Sequence, residues 1–282
     1  MATGAGRAVK LVALVTGELA GSRALCINAN LAPEQLAKKN LLPFGYTKEV
    51  KWSDGSVSDG VLKPVPIWYI ETPEARIVVD TGFHSAEGIT EMRLRDGMPS
   101  YMRRPPEWEV PAALATVGAR PEDIDIVILT HLHYDHCGSN ALFTKARFYA
   151  HKAEIPLALA PPPWAQHYLA DHAHHLIDIR DRLHALEDVE VVVPGVWTWR
   201  AGGHTPGSII VMVESDKGPV AIMGDVMHDY VNLENWWPGP GNNFWNLDEL
   251  IAAYARVRRE ARLILPGHDW KLWKLFPEGR VL

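Results

Sequence analysis

The chain has 282 residues, of which 47% are hydrophobic, and a formal net charge of -6, which suits one large domain with a substantial core. Because the charge is mildly acidic and lysines and arginines form no run, the composition argues against a nucleic-acid partner and an anionic membrane surface. No apolar stretch reaches the roughly 20 residues of a membrane span, and the only cysteines, Cys26 and Cys137, argue against a disulfide framework. We therefore expect a cytoplasmic protein with reduced thiols.

The N-terminal region has some features of a secretory signal, because Arg7 and Lys10 precede an apolar run at 11–15. That run ends at Thr16 and Gly17, which is too short for the apolar centre of a signal peptide. A β-strand is the better interpretation.

Short β-branched runs recur along the chain and predict strands with at least one buried face. They alternate with Pro- and Gly-rich pieces, and no linker divides the chain. The predicted strands are KLVALV, VPIWYIE, ARIVVD, DIDIVILT, VEVVV, SIIVMVE, PVAIMGD and ARLILP.

Helices are predicted between some of these strands, over 33–39, 110–117 and 247–261. The last has apolar residues three or four positions apart, the spacing of one helix face. Strand pairs early in the chain, followed by helix–strand alternation, predict an α/β protein with two sheets covered by helices. We expect residues 1–282 to form a single domain.

A dense polar motif, His131-x-His133-x-Asp135-His136, follows the predicted strand at 124–129. Neutral imidazole suits zinc, and a carboxylate completes a ligand set for a borderline metal ion. A polar loop that happens to be rich in histidine is the alternative, but three further polar residues beside glycines argue against it. His204, Asp225 and His268 each adjoin a predicted strand, where loops from one sheet edge can meet.

These motifs resemble those of the metallo-β-lactamase superfamily. HLHYDH, GGHTPGS, MGD and PGHD occur in the family's order, and VVDTG precedes them, so the resemblance runs from about Pro66 to Asp269. The resemblance implies an αββα four-layer sandwich.

The resemblance also implies two divalent metal ions, with zinc expected and iron, cobalt or manganese as alternatives. Asp80 and Asp269 would orient ligands, although Asp80 could equally be a turn residue before Gly82. The implied ligands are His131, His133 and His204 for the first ion, Asp135, His136 and His268 for the second, and Asp225 as a bridge between them.

Two positions narrow the choice of branch. His133 stands where diiron flavoproteins of the superfamily usually have glutamate, and Asp225 stands where penicillin-hydrolysing members usually have cysteine. RPEDIDIVILTHLHYDHCG, from Arg120, and VVPGV, at 192–196, resemble the N-acyl-homoserine lactonases, which are quorum-quenching enzymes. The glyoxalase II branch is less similar, because its basic C-terminal region has no counterpart here.

This branch implies hydrolysis of a small lactone or ester by a metal-bridging hydroxide, with Asp135, His228 and Tyr230 as catalytic candidates. His228 stands where many lactonases have a tyrosine, and it could be a hydrogen-bond donor, a proton relay or a structural residue. No G-x-S-x-G nucleophile motif occurs. Another ester, thioester or amide hydrolase of this fold remains an alternative, as does a non-catalytic metal-binding sensor.

Aromatic residues cluster in loops near the motifs and predict the wall of a pocket for a largely apolar small molecule. The alternative is that they form contacts in a homodimer, because interfaces are rich in tryptophan. The candidate substrate-binding residues are Trp164, Trp236, Trp237, Phe244 and Trp245.

Overall fold

Two β-sheets form the centre of the molecule. The computed structural model describes residues 8, 10–22, 26, 32–95, 97–162, 165, 173–238 and 244–282. The strands of the first sheet are β1 (Lys10–Ser22), β2 (Tyr46–Lys51), β3 (Val57–Glu71), β4 (Arg76–Val79), β5 (Met102–Arg103), β6 (Ile126–Ile128), β7 (Arg147–His151) and β8 (Leu183–Leu186). The strands of the second sheet are β9 (Val189–Val193), β10 (Val196–Arg200), β11 (Ile209–Val213), β12 (Val220–Ile222) and β13 (Leu263–Leu265).

Helices surround the two sheets, and short 3₁₀ turns connect several elements. Among the helices of the described residues, none combines the length and the apolar character that crossing a membrane requires. The helices are α1 (Pro33–Lys38), α2 (Ala86–Arg95), α3 (Val110–Ala115), α4 (Tyr134–Cys137), α5 (Glu154–Leu159), α6 (Ala173–Ile177), α7 (Tyr230–Asn235), α8 (Leu247–Glu260) and α9 (Lys271–Leu275). The 3₁₀ turns are Pro106–Trp108, Pro121–Asp123, Asn140–Leu142, Arg180–Arg182, Gly224–Val226 and Pro277–Gly279.

The strand order mixes antiparallel and parallel pairs. The first sheet runs β5-β1-β3-β4-β6-β7-β8, with β2 paired to β3, and the second runs β13-β12-β11-β10-β9. Strands β4, β6, β7 and β8 pair in parallel, as do β12 and β13. Parallel neighbours end at the same edge of a sheet, so the loops that follow them can meet there.

Three hydrophobic layers fill the sandwich, because successive side chains of a strand face opposite sides. On β1, Val12 and Leu14 pack in an outer layer with α3, whereas Leu11 and Ala13 pack between the sheets. Successive side chains of β6 and β11 also alternate between the layer between the sheets and an outer layer. Helix α8 covers the outer face of the second sheet. The predicted αββα sandwich is therefore confirmed.

The long pairing of β1 with β3 shifts register opposite two prolines. Val15 pairs with Pro66 and Glu18 with Pro64, with a bulge between these positions. Proline has no N–H to donate to a strand ladder, so it is tolerated where pairing is interrupted. The interruption leaves the Pro64 carbonyl available to a side chain from another loop.

The predicted strands and helices all occur, and the structure adds five strands that the sequence did not predict, which are β2, β5, β7, β8 and β10. Strand β2, with the sequence YTKEVK, exposes Lys48, Glu49 and Lys51 and offers no apolar alternation. Such a strand forms because β3 supplies a partner, and local pattern does not reveal that partner.

Candidate metal centre

Seven polar side chains meet where strands of the two sheets end, and all seven are buried. Two glycines allow their loops to come this close. Gly224, just before Asp225, has φ +50°, and a Cβ on Gly267, just before His268, would lie 2.4 Å from the Gly224 carbonyl oxygen. A side chain on Gly267 would therefore separate the two loops, and a side chain on Gly224 would meet Thr130 at 2.9 Å in a strained left-handed conformation.

The first group contains His131, His133, His204 and Asp225, whose ligand atoms all lie within 4.8 Å of one another. His133 Nδ1 is 2.9 Å from His131 Nε2 and 3.1 Å from His204 Nε2. Asp225 Oδ2 is 3.4 Å from His204 Nε2. Three nitrogens and one carboxylate oxygen thus face a common point, which fits a four-coordinate divalent ion.

The second group contains Asp135, His136 and His268. Asp225 reaches this group with its other oxygen, because Oδ1 is 2.8 Å from His268 Nε2 and 3.2 Å from His136 Nε2. Buried Asp225 Oδ1 nevertheless makes no hydrogen bond among the described residues. A carboxylate with one oxygen toward each group and no hydrogen bond to Oδ1 suits a bridge between two metal ions.

In three of the candidate ligand histidines, the Nδ1 atom faces a hydrogen-bond acceptor from another residue. Asp80 Oδ2 lies 2.8 Å from His136 Nδ1, and the Pro64 carbonyl oxygen lies 2.8 Å from His268 Nδ1. Thr130 Oγ1 lies 3.1 Å from His131 Nδ1. Each Nδ1 therefore donates its proton outward, and each Nε2 keeps a lone pair for a metal ion.

Asp80 lies beside His136 and also fixes the start of the histidine motif. Its carboxylate accepts hydrogen bonds from the Thr130 backbone N–H, at 2.7 Å, and from the Thr130 hydroxyl. It adopts φ +61°, a left-handed conformation that aspartate tolerates better than most residues. Both interpretations offered by the sequence therefore apply, since a turn residue also contacts a ligand histidine.

Asp269 accepts hydrogen bonds from backbone N–H groups on both sides of its carboxylate. It accepts from the Tyr230 N–H at 2.9 Å and the Lys271 N–H at 2.8 Å, and burial raises its pKa to about 6. Its described hydrogen bonds hold the loop that carries His268, so any effect of Asp269 on a ligand acts through the backbone.

The charges of the seven residues favour a cation among them. Burial lowers the pKa of His136, but Asp225, Asp135 and Asp80 outweigh burial and raise it well above its usual value. Burial and the neighbouring histidines His136 and His133 hold the pKa of His131 well below its usual value. The carboxylates thus attract positive charge to this cluster, and a metal ion can supply that charge.

Glu154 is a buried residue that sequence reasoning missed. Its Oε2 accepts from the Leu132 N–H at 3.2 Å, inside the histidine motif. Its Oε1 accepts from the Gly207 N–H at 2.8 Å and from the Thr205 hydroxyl, in the loop of His204. One carboxylate therefore joins two ligand loops, although position 154 lies in no motif and only the folded chain brings it there.

His228 and Tyr230, two of the catalytic candidates, occupy different environments. His228 Nε2 lies 3.3 Å from Asp225 Oδ2, beside the metal-binding groups. The Tyr230 ring packs in the hydrophobic layer between the sheets, with Lys271 Nζ 5.6 Å from its centroid. His228 is thus placed to act at the metal centre, and the catalytic role of Tyr230 stays a prediction.

The aromatic candidates for substrate binding also occupy different environments. Trp236 lies under the guanidinium of Arg258, 4.7 Å from its ring, and packs with Phe244 against the outer layer of the second sheet. Trp245 is 42% exposed, and its N–H donates to the carbonyl of Gly203, next to His204. Trp237 is half-buried, and Trp164 lies outside the described residues.

Comparisons with known proteins agree on one family. Residues 60–268 match the model of the metallo-beta-lactamase superfamily. The chain is 29% identical over 238 residues to an N-acyl homoserine lactonase from Bacillus sp, covering 80% of this chain and 91% of that protein. It is 30% identical over 231 residues to N-acyl homoserine lactonase AiiB from Agrobacterium fabrum, covering 73% and 79%. Its fold matches a B. thuringiensis AiiA mutant with N-decanoyl-L-homoserine bound at the active site, with a TM-score of 0.71, 23% identity, and coverage of 96% and 98%.

We predict that Asp80→Asn weakens metal binding, because a neutral amide is a poorer acceptor for the His136 Nδ1 proton. The affinity for the more weakly held zinc ion should fall about 10- to 100-fold. Competition with a chromophoric chelator measures this change. Asp54→Asn, in an exposed turn, is the control, and equal affinities in both variants would make Asp80 a turn residue only.

We predict that Glu154→Ala destabilises the protein by about 3 kcal/mol or more, because three buried donors lose their acceptor. Denaturant unfolding of the zinc-loaded protein measures the change. Glu187→Ala, at an exposed carboxylate, should stay within about 0.5 kcal/mol of the unmodified chain. A loss as small for Glu154→Ala would show that the two ligand loops do not depend on this contact.

Proposed function

The chain belongs to the metallo-beta-lactamase superfamily, and from that premise we propose that it is a dinuclear metal-dependent hydrolase that opens small-molecule lactones resembling N-acyl-homoserine lactones. The observation that carries the proposal is the cluster of seven buried ligand residues in a chain whose matched relatives are named as such lactonases. The nitrogen-rich donor set favours zinc.

The proposed ligand residues form two groups, one for each metal ion. His131, His133 and His204 would hold the first ion, and His136 and His268 would hold the second with Asp135. Asp225, which turns one oxygen toward each group, would join them. When bound, the two ions supply a hydroxide at neutral pH and a Lewis acid for the substrate carbonyl oxygen.

The chain's other polar groups would then position the substrate and move one proton. His228, beside Asp225, would donate a hydrogen bond to the carbonyl oxygen of the lactone, where negative charge develops. Asp135, in the second group, would carry the proton that the leaving alkoxide needs as the ring opens.

The acyl chain of such a substrate needs an apolar surface next to the metal centre. Trp245 is the aromatic candidate best suited to supply it, because the indole is partly exposed and the backbone is tied to the loop of His204. Trp236 and Phe244 would support this loop from the hydrophobic layer beneath it.

A pH-indicator assay of the zinc-loaded protein over lactones, thioesters and β-lactams tests the function. We expect acid release from acyl-homoserine lactones that exceeds release from the other two classes. Preference for thioesters would favour the glyoxalase II-like alternative. A metal-loaded protein that hydrolyses none of them would favour a sensor.

We predict that Asp225→Ala abolishes lactone hydrolysis, with a loss of more than about 10³-fold in kcat, and lowers the bound zinc. The physical reason is loss of the carboxylate shared by both groups. Metal analysis and the indicator assay measure the two effects. Asp181→Ala, at an exposed carboxylate, is the control, and substantial activity of Asp225→Ala would place the reaction elsewhere.

We predict that Trp245→Ala raises the KM for a lactone with a ten-carbon acyl chain about tenfold, and changes the KM for a four-carbon chain much less. The reason is loss of apolar contact area that only the longer chain reaches. Val191→Ala, exposed on β9, is the control. Equal changes for both chain lengths would remove Trp245 from the acyl site.

A further inference from the structure

His228 differs from the ligand histidines in the group that faces its far nitrogen. Lys63 lies on β3 and is only 5% exposed. Its Nζ is 3.0 Å from His228 Nδ1, and His228 Nε2 lies 3.3 Å from Asp225 Oδ2. His228 therefore lies between a buried ammonium group and the proposed metal bridge.

Hydrogen-bonding capacity determines where the proton of this imidazole lies. An ammonium group has three donors and no acceptor, so Nδ1 of His228 must accept from Lys63. A neutral imidazole carries one N–H, which must then be on Nε2. The Nε2–H bond consequently points into the metal centre.

Three of the candidate ligand histidines show the reverse arrangement. His131, His136 and His268 each have an acceptor at Nδ1, so their Nε2 atoms are free of a proton and can bind a metal ion. His228 has a donor at the same atom, so its Nε2 cannot bind a metal ion without losing that proton. The difference separates His228 from the ligands, although it lies among them.

We propose that Lys63 is a positioning residue that holds His228 as the Nε2–H tautomer, so that His228 is a standing hydrogen-bond donor at the metal centre and is not a metal ligand. The hydrogen bond to Lys63 carries this assignment, since it specifies both the tautomer and the orientation of the ring.

The surroundings of Lys63 keep its ammonium group in place. Burial opposes the charge on Lys63, but nearby Cys26, Asp229 and Asp225 outweigh burial and raise its pKa. The side chain is also buried, because only 5% of Lys63 is exposed. A charged, buried lysine presents a donor to His228 continuously.

The backbone of His228 is fixed as well. The His268 N–H donates to the His228 carbonyl at 2.6 Å, and the Gly267 N–H donates to the Met227 carbonyl at 2.8 Å. Neighbouring residues of β3 thus act on two histidines, since Pro64 orients His268 while Lys63 orients His228.

The consequence for turnover rests on the proposed lactone hydrolysis. A donor fixed before substrate arrives stabilises negative charge on the carbonyl oxygen without reorganising in the transition state. Loss of the Lys63 contact allows the Nδ1–H tautomer, in which Nε2 offers a lone pair to the same oxygen. Lys63 should therefore affect kcat more than KM.

Nitrogen-15 NMR of the histidine-labelled, zinc-loaded protein tests the tautomer directly. The resonances of His228 are identified by their absence in His228→Gln. We expect a protonated Nε2 and an unprotonated Nδ1. A protonated Nδ1, or a zinc-bound Nε2, would overturn the proposal, and this measurement on the unmodified chain does not depend on any substrate.

Two substitutions of Lys63 distinguish the effect of its hydrogen-bond donor from the effect of its side-chain bulk. Lys63→Met removes the donor, and we expect a mixture of tautomers with kcat for the lactone lowered about tenfold and KM changed less than about threefold. Lys63→Arg keeps a donor-only side chain and should restore the Nε2–H tautomer and part of kcat. Lys10→Met is the control, because it removes a lysine of β1 that donates to the Val117 carbonyl, away from His228.

The outcomes distinguish this proposal from the proposed function. An unchanged Nε2–H tautomer in Lys63→Met, with zinc still bound, would show that Lys63 does not set it. If the unmodified protein has the Nε2–H tautomer that Lys63→Met loses, yet hydrolyses no lactone, the tautomer assignment stands and the proposed function fails.

Discussion

The close approach of buried imidazoles and carboxylates is the constraint on which the candidate metal centre depends. Five imidazoles and two carboxylates converge within a few ångströms, and Asp225 turns an oxygen toward each half. Buried carboxylates facing nitrogen lone pairs are costly unless positive charge lies between them. The chemistry of the cluster is therefore suited to metal ions, and the sandwich around it holds these atoms at fixed positions.

The residues that orient the ligands connect distant parts of the fold. Asp80, after β4, fixes His136 and the start of the histidine motif, and Pro64 on β3 fixes His268. Glu154, at the start of α5, ties the motif loop to the loop of His204. Because each contact joins segments far apart in sequence, the geometry of the centre depends on the packing of both sheets.

His228 stands where many lactonases have a tyrosine, and in the proposed reaction its imidazole would take the donor role. A tyrosine there would donate through its hydroxyl without assistance, whereas an imidazole has two nitrogens and needs a partner that determines which one carries the proton. Lys63 supplies that partner. The aromatic candidates occupy different environments, since Trp236 packs beneath Arg258 while Trp245 is partly exposed beside the loop of His204.

The sequence by itself indicated two sheets covered by helices, through its alternating apolar strands. Its resemblance to the metallo-β-lactamase superfamily, through the order of HLHYDH, GGHTPGS, MGD and PGHD, implied the αββα sandwich and the seven candidate ligands. These features are visible because periodicity and motif spacing are local properties of the chain. Only the tertiary structure decided that Glu154, Thr130 and Lys63 face the centre, since each meets its partner across a large sequence separation or through a side-chain orientation that packing sets. No local pattern encodes those contacts, which arise when the two sheets bring their loops to one edge.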